Sequence, residues 1–257
     1  MTALLRQKVV SRLLALAILT LCLVIVYRNG GSAPLASPQE PQAASRQVTT
    51  IIAQEQTDTP LAITGIALNA PVSSDSPFVD FGFSVVNVSL KPIRAYAIRQ
   101  IVTAAGITVG GGVSLYNLQL ANSRLLPHES ELVYQNANAV SKKETKIIVS
   151  VDYVEFSDGT KWGTDSSKSA ERAAGQRSGA RAQSEKLLDL LNAGNAEDVV
   201  NVIGTGAVGI APPLDRSSEW TEGFRSGAVI VVNRLKRAQE KGGPNELEKE
   251  LRKLSKN

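Results

Sequence analysis

The 257-residue sequence predicts an α+β protein built from an N-terminal membrane anchor, an antiparallel β-sandwich and a small α-helical region. Three observations lead to this prediction. An uncharged apolar run lies near the N-terminus, apolar and polar residues alternate through the middle of the chain, and after Trp162 the apolar residues take helical spacing. The segments are predicted as anchor 1–28, linker 29–46, sandwich 47–164 and helical region 165–257.

The anchor is predicted from Leu13–Tyr27, an uncharged run between Arg12 and Arg28. As a helix it would be about 22 Å long, shorter than a hydrocarbon core of about 30 Å, and the flanking arginines could reach the interfaces. Basic residues before the run place the N-terminus in the cytoplasm and export residues 29–257 from a single-pass cell-membrane span. The alternative is a cleaved signal peptide, which would leave a secreted or periplasmic protein. Prolines in residues 29–46 predict a disordered linker.

Composition excludes several classes of site. A single cysteine excludes an intrachain disulfide. A single histidine leaves few ways to build a metal site or a catalytic triad. The formal net charge of +4 is accounted for by Arg6, Lys8, Arg12 and Arg28, so the rest of the chain is neutral overall. Because no concentrated basic patch follows, nucleic acid is not an expected partner.

The middle of the chain has the period-two pattern of strands. Strands are predicted at Thr49–Ala53 and Leu61–Leu68, and further alternation follows at residues 79–85. A later strand before the turn at Asp158-Gly159 is predicted to place four side chains on one face: Ile147, Val149, Val151 and Tyr153. About seven or eight short strands are expected in total, which is typical of an antiparallel sandwich.

Three stretches of this region resemble a known kind of module. FGFSVVNVSLKPIRAY, LPHESELVY and VDYVEFSDGTKW are similar to the Ig-like β-sandwich of exported, membrane-anchored bacterial proteins of unknown function. The resemblance covers about residues 47–164 and consists of strand and turn patterns. It implies an Ig-like architecture with a binding or structural role, and it carries no catalytic residue with it.

The helical region contains an internal repeat. Residues 169–180 (SAERAAGQRSGA) and 217–228 (SSEWTEGFRSGA) are identical at seven of twelve positions, which indicates a duplication. Each copy lies in a predicted long helix. The first is capped by Asp165, Ser166 or Ser167, and the second starts near Ser217 or Ser218, with a break at Gly242-Gly243 and a short helix from Pro244.

Each copy also carries two glycines four residues apart: Gly175, Gly179, Gly223 and Gly227. A glycine inside a helix costs about 1 kcal/mol relative to alanine, so this spacing suggests a close approach of two helix backbones. We expect the two helices to pack as a pseudo-symmetric pair, glycine ridge on glycine ridge. The alternative is that the ridge forms a seam with a protein partner or a second copy of the chain.

The repeat contains one arginine in each copy, Arg177 and Arg225. These side chains could hold an anionic ligand between the helices. The other interpretation is a pair of salt bridges with Glu171 and Glu219, which belong to the same repeat.

Two further features indicate no site. Residues 204–209 (GTGAVG) match the dinucleotide fingerprint in form, but that site needs a helix directly after the glycines, and Pro212-Pro213 prevents one. His128 is predicted in a turn with no cysteine or acidic residues at ligand spacing. The sequence therefore predicts a connecting loop at 204–209, no cofactor and no metal.

These observations favour a non-catalytic binding or scaffolding module at the cell envelope, with a protein partner or homo-oligomerisation. The alternative is a carbohydrate-active or hydrolytic envelope protein that uses the acids and aromatics of the Asp152–Trp162 hairpin. A surface cleft lined by two acids and Trp162 would favour the hydrolytic protein, whereas a buried Trp162 would exclude it.

Overall fold

The computed structural model describes residues 49–68, 78–138, 145–206 and 208–255. Within these ranges the strands are β1 (Thr49–Ala53), β2 (Leu61–Leu68), β3 (Phe78–Asn87), β4 (Ile93–Ala104), β5 (Ile107–Asn117), β6 (Ser130–Asn138), β7 (Thr145–Phe156) and β8 (Lys161–Trp162). The helices are α1 (Ser169–Asn192), α2 (Ala196–Thr205) and α3 (Ser218–Leu254), and a 3-10 helix spans Leu118–Ala121. All described residues belong to one compact unit with the predicted α+β content.

The strands form two sheets that pack face to face. The mixed sheet has the order β1-β7-β4-β5, with β8 also paired to β7, and the three-stranded sheet has the order β2-β3-β6. Because β1 pairs with β7 in parallel, the prediction of a purely antiparallel sandwich is wrong. The period-two pattern reports which face of a strand is buried and carries no information on strand direction, so it could not reveal this pairing.

The hydrophobic core lies between the two sheets. Phe81, Phe83 and Val85 of β3 are fully buried there, as the alternation predicts, and they meet Ile147 and Val149 of β7. The core therefore covers the inner face of the three-stranded sheet. Among the described residues, no layer covers its outer face.

A bulge at Asp152 changes which side chains of β7 point into the core. In the pairing of β4 with β7, Asp152 is an extra residue without a partner on β4. A bulge of this kind reverses the alternation, so Val154 and Phe156 continue the core face. The prediction that Tyr153 shares the core face is therefore wrong. Tyr153 and Glu155 lie on the outer face of the mixed sheet, where α1 packs against β7.

The expected cap of α3 is confirmed at Ser217, whereas α1 begins at Ser169 after Lys168, later than the predicted caps. The carboxylate of Asp165 accepts hydrogen bonds from the backbone N–H groups at the start of α1, and the hydroxyl of Ser217 accepts one from the N–H of Trp220 at the start of α3. The backbone of α3 leaves helical geometry at Gly242 and Gly243, which confirms the predicted break.

The N-terminal membrane anchor needs correction as well. In the part of the chain that the structure describes, no helix combines the length and apolar character needed to cross a bilayer. A transmembrane, single-pass assignment is therefore not supported. The predicted anchor at residues 13–27 and the predicted linker at residues 29–46 lie outside the described residues.

Candidate functional site

The four glycines of the repeat lie together in the contact between α1 and α3. A Cβ atom on Gly175 or Gly179 would collide with the backbone of α3, and one on Gly223 or Gly227 would collide with the backbone of α1. All four glycines are buried within one chain. The ridges thus meet intramolecularly, as the first of the two interpretations expects.

The contacts of the ridge follow the repeat. Gly179 faces the carbonyl of Phe224, and Gly227 faces the carbonyl of Gln176, which is the residue equivalent to Phe224. One turn earlier, Gly175 faces Trp220. Because residue numbers rise together along both helices, α1 and α3 run in the same direction. This relation makes the pair pseudo-two-fold symmetric.

The two repeated arginines differ in their surroundings. Arg177 donates two hydrogen bonds to the carboxylate of Glu155 on β7, at 2.9 and 3.1 Å. Arg94 of β4 donates a third to the same carboxylate, at 2.5 Å. Arg225 is exposed and forms no ion pair with any described residue. The structure therefore does not bring Arg177 and Arg225 to one site.

The acids of the repeat also have other partners than those expected. Glu171 accepts a hydrogen bond from the hydroxyl of Ser217, and Glu219 pairs with Lys168, with 3.4 Å between the charged atoms. These contacts join the start of α1 to the start of α3. Arg177 therefore pairs with Glu155 of β7 and not with an acid of the repeat.

Glu155 is a buried carboxylate, only 2% exposed. Burial alone would raise its pKa, but the hydrogen bond from Arg94 and the charge of Arg177 outweigh burial and hold the pKa below its ordinary value. The carboxylate is consequently ionised at neutral pH. It connects the mixed sheet to the helical layer through two guanidinium groups.

In the hairpin proposed for hydrolysis, the two buried acids already bind other side chains. Asp152 is 3% exposed and accepts a hydrogen bond of 2.6 Å from the hydroxyl of Ser166, while Glu155 is held by the two arginines. Trp162 is half-buried and packs against the sandwich core. The described residues of this hairpin therefore do not form an open cleft between two free carboxylates, and the geometry does not favour the hydrolytic alternative.

The remaining sequence features have structural positions. Gly204 lies inside α2, and Gly206 ends that helix with a φ of 68°. The glycines thus stand at the C-terminal end of a helix, whereas a dinucleotide phosphate needs an N-terminal end. His128 is exposed at a turn with a φ of 67°. In the described ranges, no three potential metal ligands cluster together.

A surface that the sequence analysis did not single out is the outer face of the three-stranded sheet. We call it the open face, and its residues are Ala62, Thr64 and Ala67 of β2, Phe78, Asp80, Gly82, Ser84 and Val86 of β3, and Ser130, Leu132, Tyr134, Asn136 and Asn138 of β6. Asp80 is the single charged residue among them. The alternate positions of β3 and β6 already show this lack of charge in the sequence, but only the sheet pairing shows that they form one surface.

The open face combines apolar exposure with small polar side chains. Tyr134 is 64% exposed, Leu132 55% and Phe78 50%, although each is large and apolar. Tyr134 lies opposite Gly82 on the neighbouring strand, where the missing side chain leaves its ring uncovered. Isolated exposed apolar residues are common, but a connected face with aromatic side chains and a single charge is typical of a contact surface.

Comparisons with known proteins add no assignment. No protein-family model and no curated protein matches the chain. Among solved structures it is similar to a hypothetical protein from Peptoclostridium difficile 630, with 15% identity over 44% of this chain and 90% of the other and a TM-score of 0.28. A protein from Bordetella pertussis, provisionally identified as ApaA, gives 10% identity over 40% of this chain and 84% of the other, also with a TM-score of 0.28. The likeness to Ig-like modules therefore stays a prediction.

Proposed function

We propose that this protein is a non-catalytic binding module that docks a partner protein on the open face. The observation that carries the proposal is the near absence of charge on an exposed sheet surface that presents Phe78, Leu132 and Tyr134. Protein interfaces are enriched in aromatic residues and depleted of charge at their centre, and the open face has both properties apart from Asp80 on its central strand.

The chemistry of the face favours a protein over other macromolecules. The face contains no lysine or arginine. Nucleic acids and anionic membranes are attracted through such cations, so neither is a suitable partner for this surface. The matching surface is uncharged and apolar, with groups that can hydrogen-bond the Ser, Thr and Asn side chains around the aromatic residues.

The opposite sheet provides an internal comparison. Part of the outer face of the mixed sheet is covered by α1, which packs against β5 and β7, and Glu155 of that face pairs with Arg177 of α1. The open face has no such cover in the described chain. A partner on the open face would cover the three-stranded sheet as α1 covers part of the mixed sheet.

The proposal can be tested with a photo-reactive residue at position 132 in the native cells. We expect one cross-linked protein, identified by mass spectrometry, and none when the reactive residue replaces Val229, an exposed apolar residue on α3. The purified partner should bind the Tyr134→Lys variant at least tenfold more weakly and bind Val229→Lys within about twofold of the unsubstituted protein. Equal binding by both variants, or equal cross-linking at both positions, would overturn the proposal.

A further inference from the structure

The two sheets of the sandwich differ by one strand on the side of β5. The mixed sheet has the order β1-β7-β4-β5, whereas the other sheet ends at β6. The hydroxyl of Tyr96 on β4 donates a hydrogen bond of 2.9 Å to Glu131 on β6. The amide of Gln100, also on β4, donates one of 3.2 Å to the backbone carbonyl of Asn136 on β6. Because β6 thus lies beneath β4, β5 extends past the edge of the smaller sheet. We call the space beneath β5 and beside β6 the rim slot.

The inner face of β5 is uncovered along most of the rim slot. Cross-strand neighbours share one face of a sheet, and Gly110 lies opposite Val102, a core residue of β4. Gly110 and Gly112 therefore point inward, yet both are exposed, and a Cβ atom on Gly110 would meet nothing within 4 Å. On the same face Ile107 is 69% exposed, although it is large and apolar. Farther along the strand, Tyr116 reaches β6 through a hydrogen bond that its hydroxyl accepts.

The edge of β6 that borders the rim slot lacks a neighbouring strand. In the described ranges β6 pairs with β3 on one side and with no strand on the other. Proteins usually protect such edges with bulges, prolines or charges, because the unpaired backbone groups can bind another chain. β2, at the other end of the same sheet, has a bulge between Thr64 and Ala67. β6 has neither a bulge nor a proline, and its charged residue, Glu131, already accepts the hydrogen bond from Tyr96.

An unsatisfied hydrogen-bond acceptor lies between β5 and β6. The amide nitrogen of Gln100 donates to a backbone carbonyl, which can only accept, so the orientation of this amide is fixed. The amide oxygen is buried and has no hydrogen-bond partner among the described residues. A Cβ atom on Gly112 would lie 3.7 Å from the amide nitrogen, so the Gln100 amide borders the rim slot. A buried acceptor needs a donor, and the backbone of an added strand supplies N–H groups.

We propose that the rim slot receives an extended segment of another protein, which pairs with the free edge of β6 and completes the smaller sheet as its fourth strand. Backbone hydrogen bonds to β6 hold the segment, as in other cases of strand addition to a sheet edge. Its inward side chains lie beneath Gly110 and Gly112, where the missing side chains of β5 leave room. The segment is uncharged and presents apolar residues to β5, since β5 itself carries no charged residue and exposes Ile107 there.

The overhang of β5 decides what kind of chain fits. Any strand that pairs with β6 at this edge lies beneath β5, so it cannot bring a second layer of its own above it. A second copy of this protein is therefore unsuitable, because in an antiparallel β6–β6 pair the β5 strand of each copy would occupy the position of β4 in the other. The rim slot consists of the edge of β6 and the inner face of β5, whereas the open face is an outer surface, so the two sites are independent.

A displayed library of random nine-residue peptides, equal in length to β6, supplies the probe when it is selected on the full-length protein. We expect enrichment of uncharged peptides without proline and saturable binding of the selected peptide, measured by fluorescence anisotropy. Prolines at two adjacent positions in its middle should weaken binding by about tenfold or more, because one of the two N–H groups must face β6. Hydrogen exchange should slow at backbone amides of β6 when the peptide binds and stay unchanged in β2.

The Gly110→Phe variant fills the rim slot with a ring and should weaken binding of the selected peptide by about tenfold or more. It is expected to fold, because Gly110 has no left-handed backbone and a Cβ there has open space. Thr108→Phe is the matched control, since Thr108 lies on the same strand opposite Thr103 and faces outward. It should bind within about twofold of the unsubstituted protein, and circular dichroism verifies that both variants are folded.

Three results would overturn the proposal. The first is that no selected peptide binds saturably, or that the proline peptide binds as tightly as its parent. The second is an equal effect of Gly110→Phe and Thr108→Phe on binding. The third is slowed hydrogen exchange in β2 with none in β6, which would place the peptide at the other edge of the sheet.

Discussion

Arg177 of α1 and Glu155 of β7 are joined by two parallel hydrogen bonds, which tie the helical layer to the mixed sheet. The carboxylate is almost fully buried, and Arg177 is about one-fifth exposed. A buried pair of this kind contributes less net stability than its geometry suggests, because both charges lose water. Removing one partner nevertheless lowers the free energy of unfolding strongly, because it leaves the other charge buried without its counter-ion.

Substitution of Arg177 by Gln should therefore destabilise the protein by about 3 kcal/mol at neutral pH, since it leaves a buried carboxylate with Arg94 as its single cation. Urea unfolding measures the change. Arg225→Gln, the exposed equivalent in the repeat, should change the free energy of unfolding by less than about 0.5 kcal/mol. Similar losses for both variants would show that the Glu155 pair has no special role.

The same pair predicts a pH dependence. The pKa of Glu155 in the folded protein is below its ordinary value of 4.5. A carboxyl group with a lowered folded-state pKa stabilises the fold at pH values above its unfolded-state pKa, and that contribution is lost as the pH falls through the folded-state pKa. The Glu155→Gln variant should thus be less stable than the unsubstituted protein at pH 7, and the difference should shrink below about pH 4.5. A difference that stays constant down to pH 3 would contradict this assignment.

Replacing glycine by alanine should have opposite effects on stability inside the glycine ridge and outside it. Gly179→Ala places a methyl group against the carbonyl of Phe224, so the helices must separate, and we expect a loss of about 2 kcal/mol or more. Gly204→Ala in α2 is the control, because a Cβ there meets nothing within 4 Å. Its better helix propensity should stabilise the protein by up to about 1 kcal/mol. Thermal unfolding of both variants measures the difference, and a tolerated Gly179→Ala would show that the helices do not need this close approach.

Gln183 predicts a stabilising substitution. Its side chain is fully buried in α1, and neither amide atom has a partner in the described chain. Methionine has nearly the same shape without the polar atoms, so Gln183→Met should raise the free energy of unfolding by about 1 kcal/mol.

Gln176→Met is the matched control for this effect. The amide of Gln176 accepts a hydrogen bond from Asn117, and removing it leaves that donor with one partner fewer. The control variant should be destabilised by about 1 kcal/mol when measured by urea unfolding. Destabilisation of both variants would mean that the Gln183 amide is satisfied in solution.

Local patterns in the sequence determined the elements themselves. Alternation placed β1, β2 and the core face of β3, and a capping residue and glycines placed the start of α3 and the break at Gly242-Gly243. The repeat also indicated the glycine ridge, because backbone contact requires the absence of side chains at fixed helical spacing. Each of these properties depends on neighbours within a few residues, so a single sequence carries it.

The tertiary structure decided the relations between elements. Strand direction in the β1–β7 pair, the bulge at Asp152 and the partner of Arg177 all depend on segments that are distant in sequence or on a register that no local pattern encodes. The open face exists only because β2, β3 and β6 pair and bring their outward residues onto one surface. Whether a sheet face is buried depends on how the layers assemble. The alternating pattern around Tyr134 would be the same whether another surface covers that face or not.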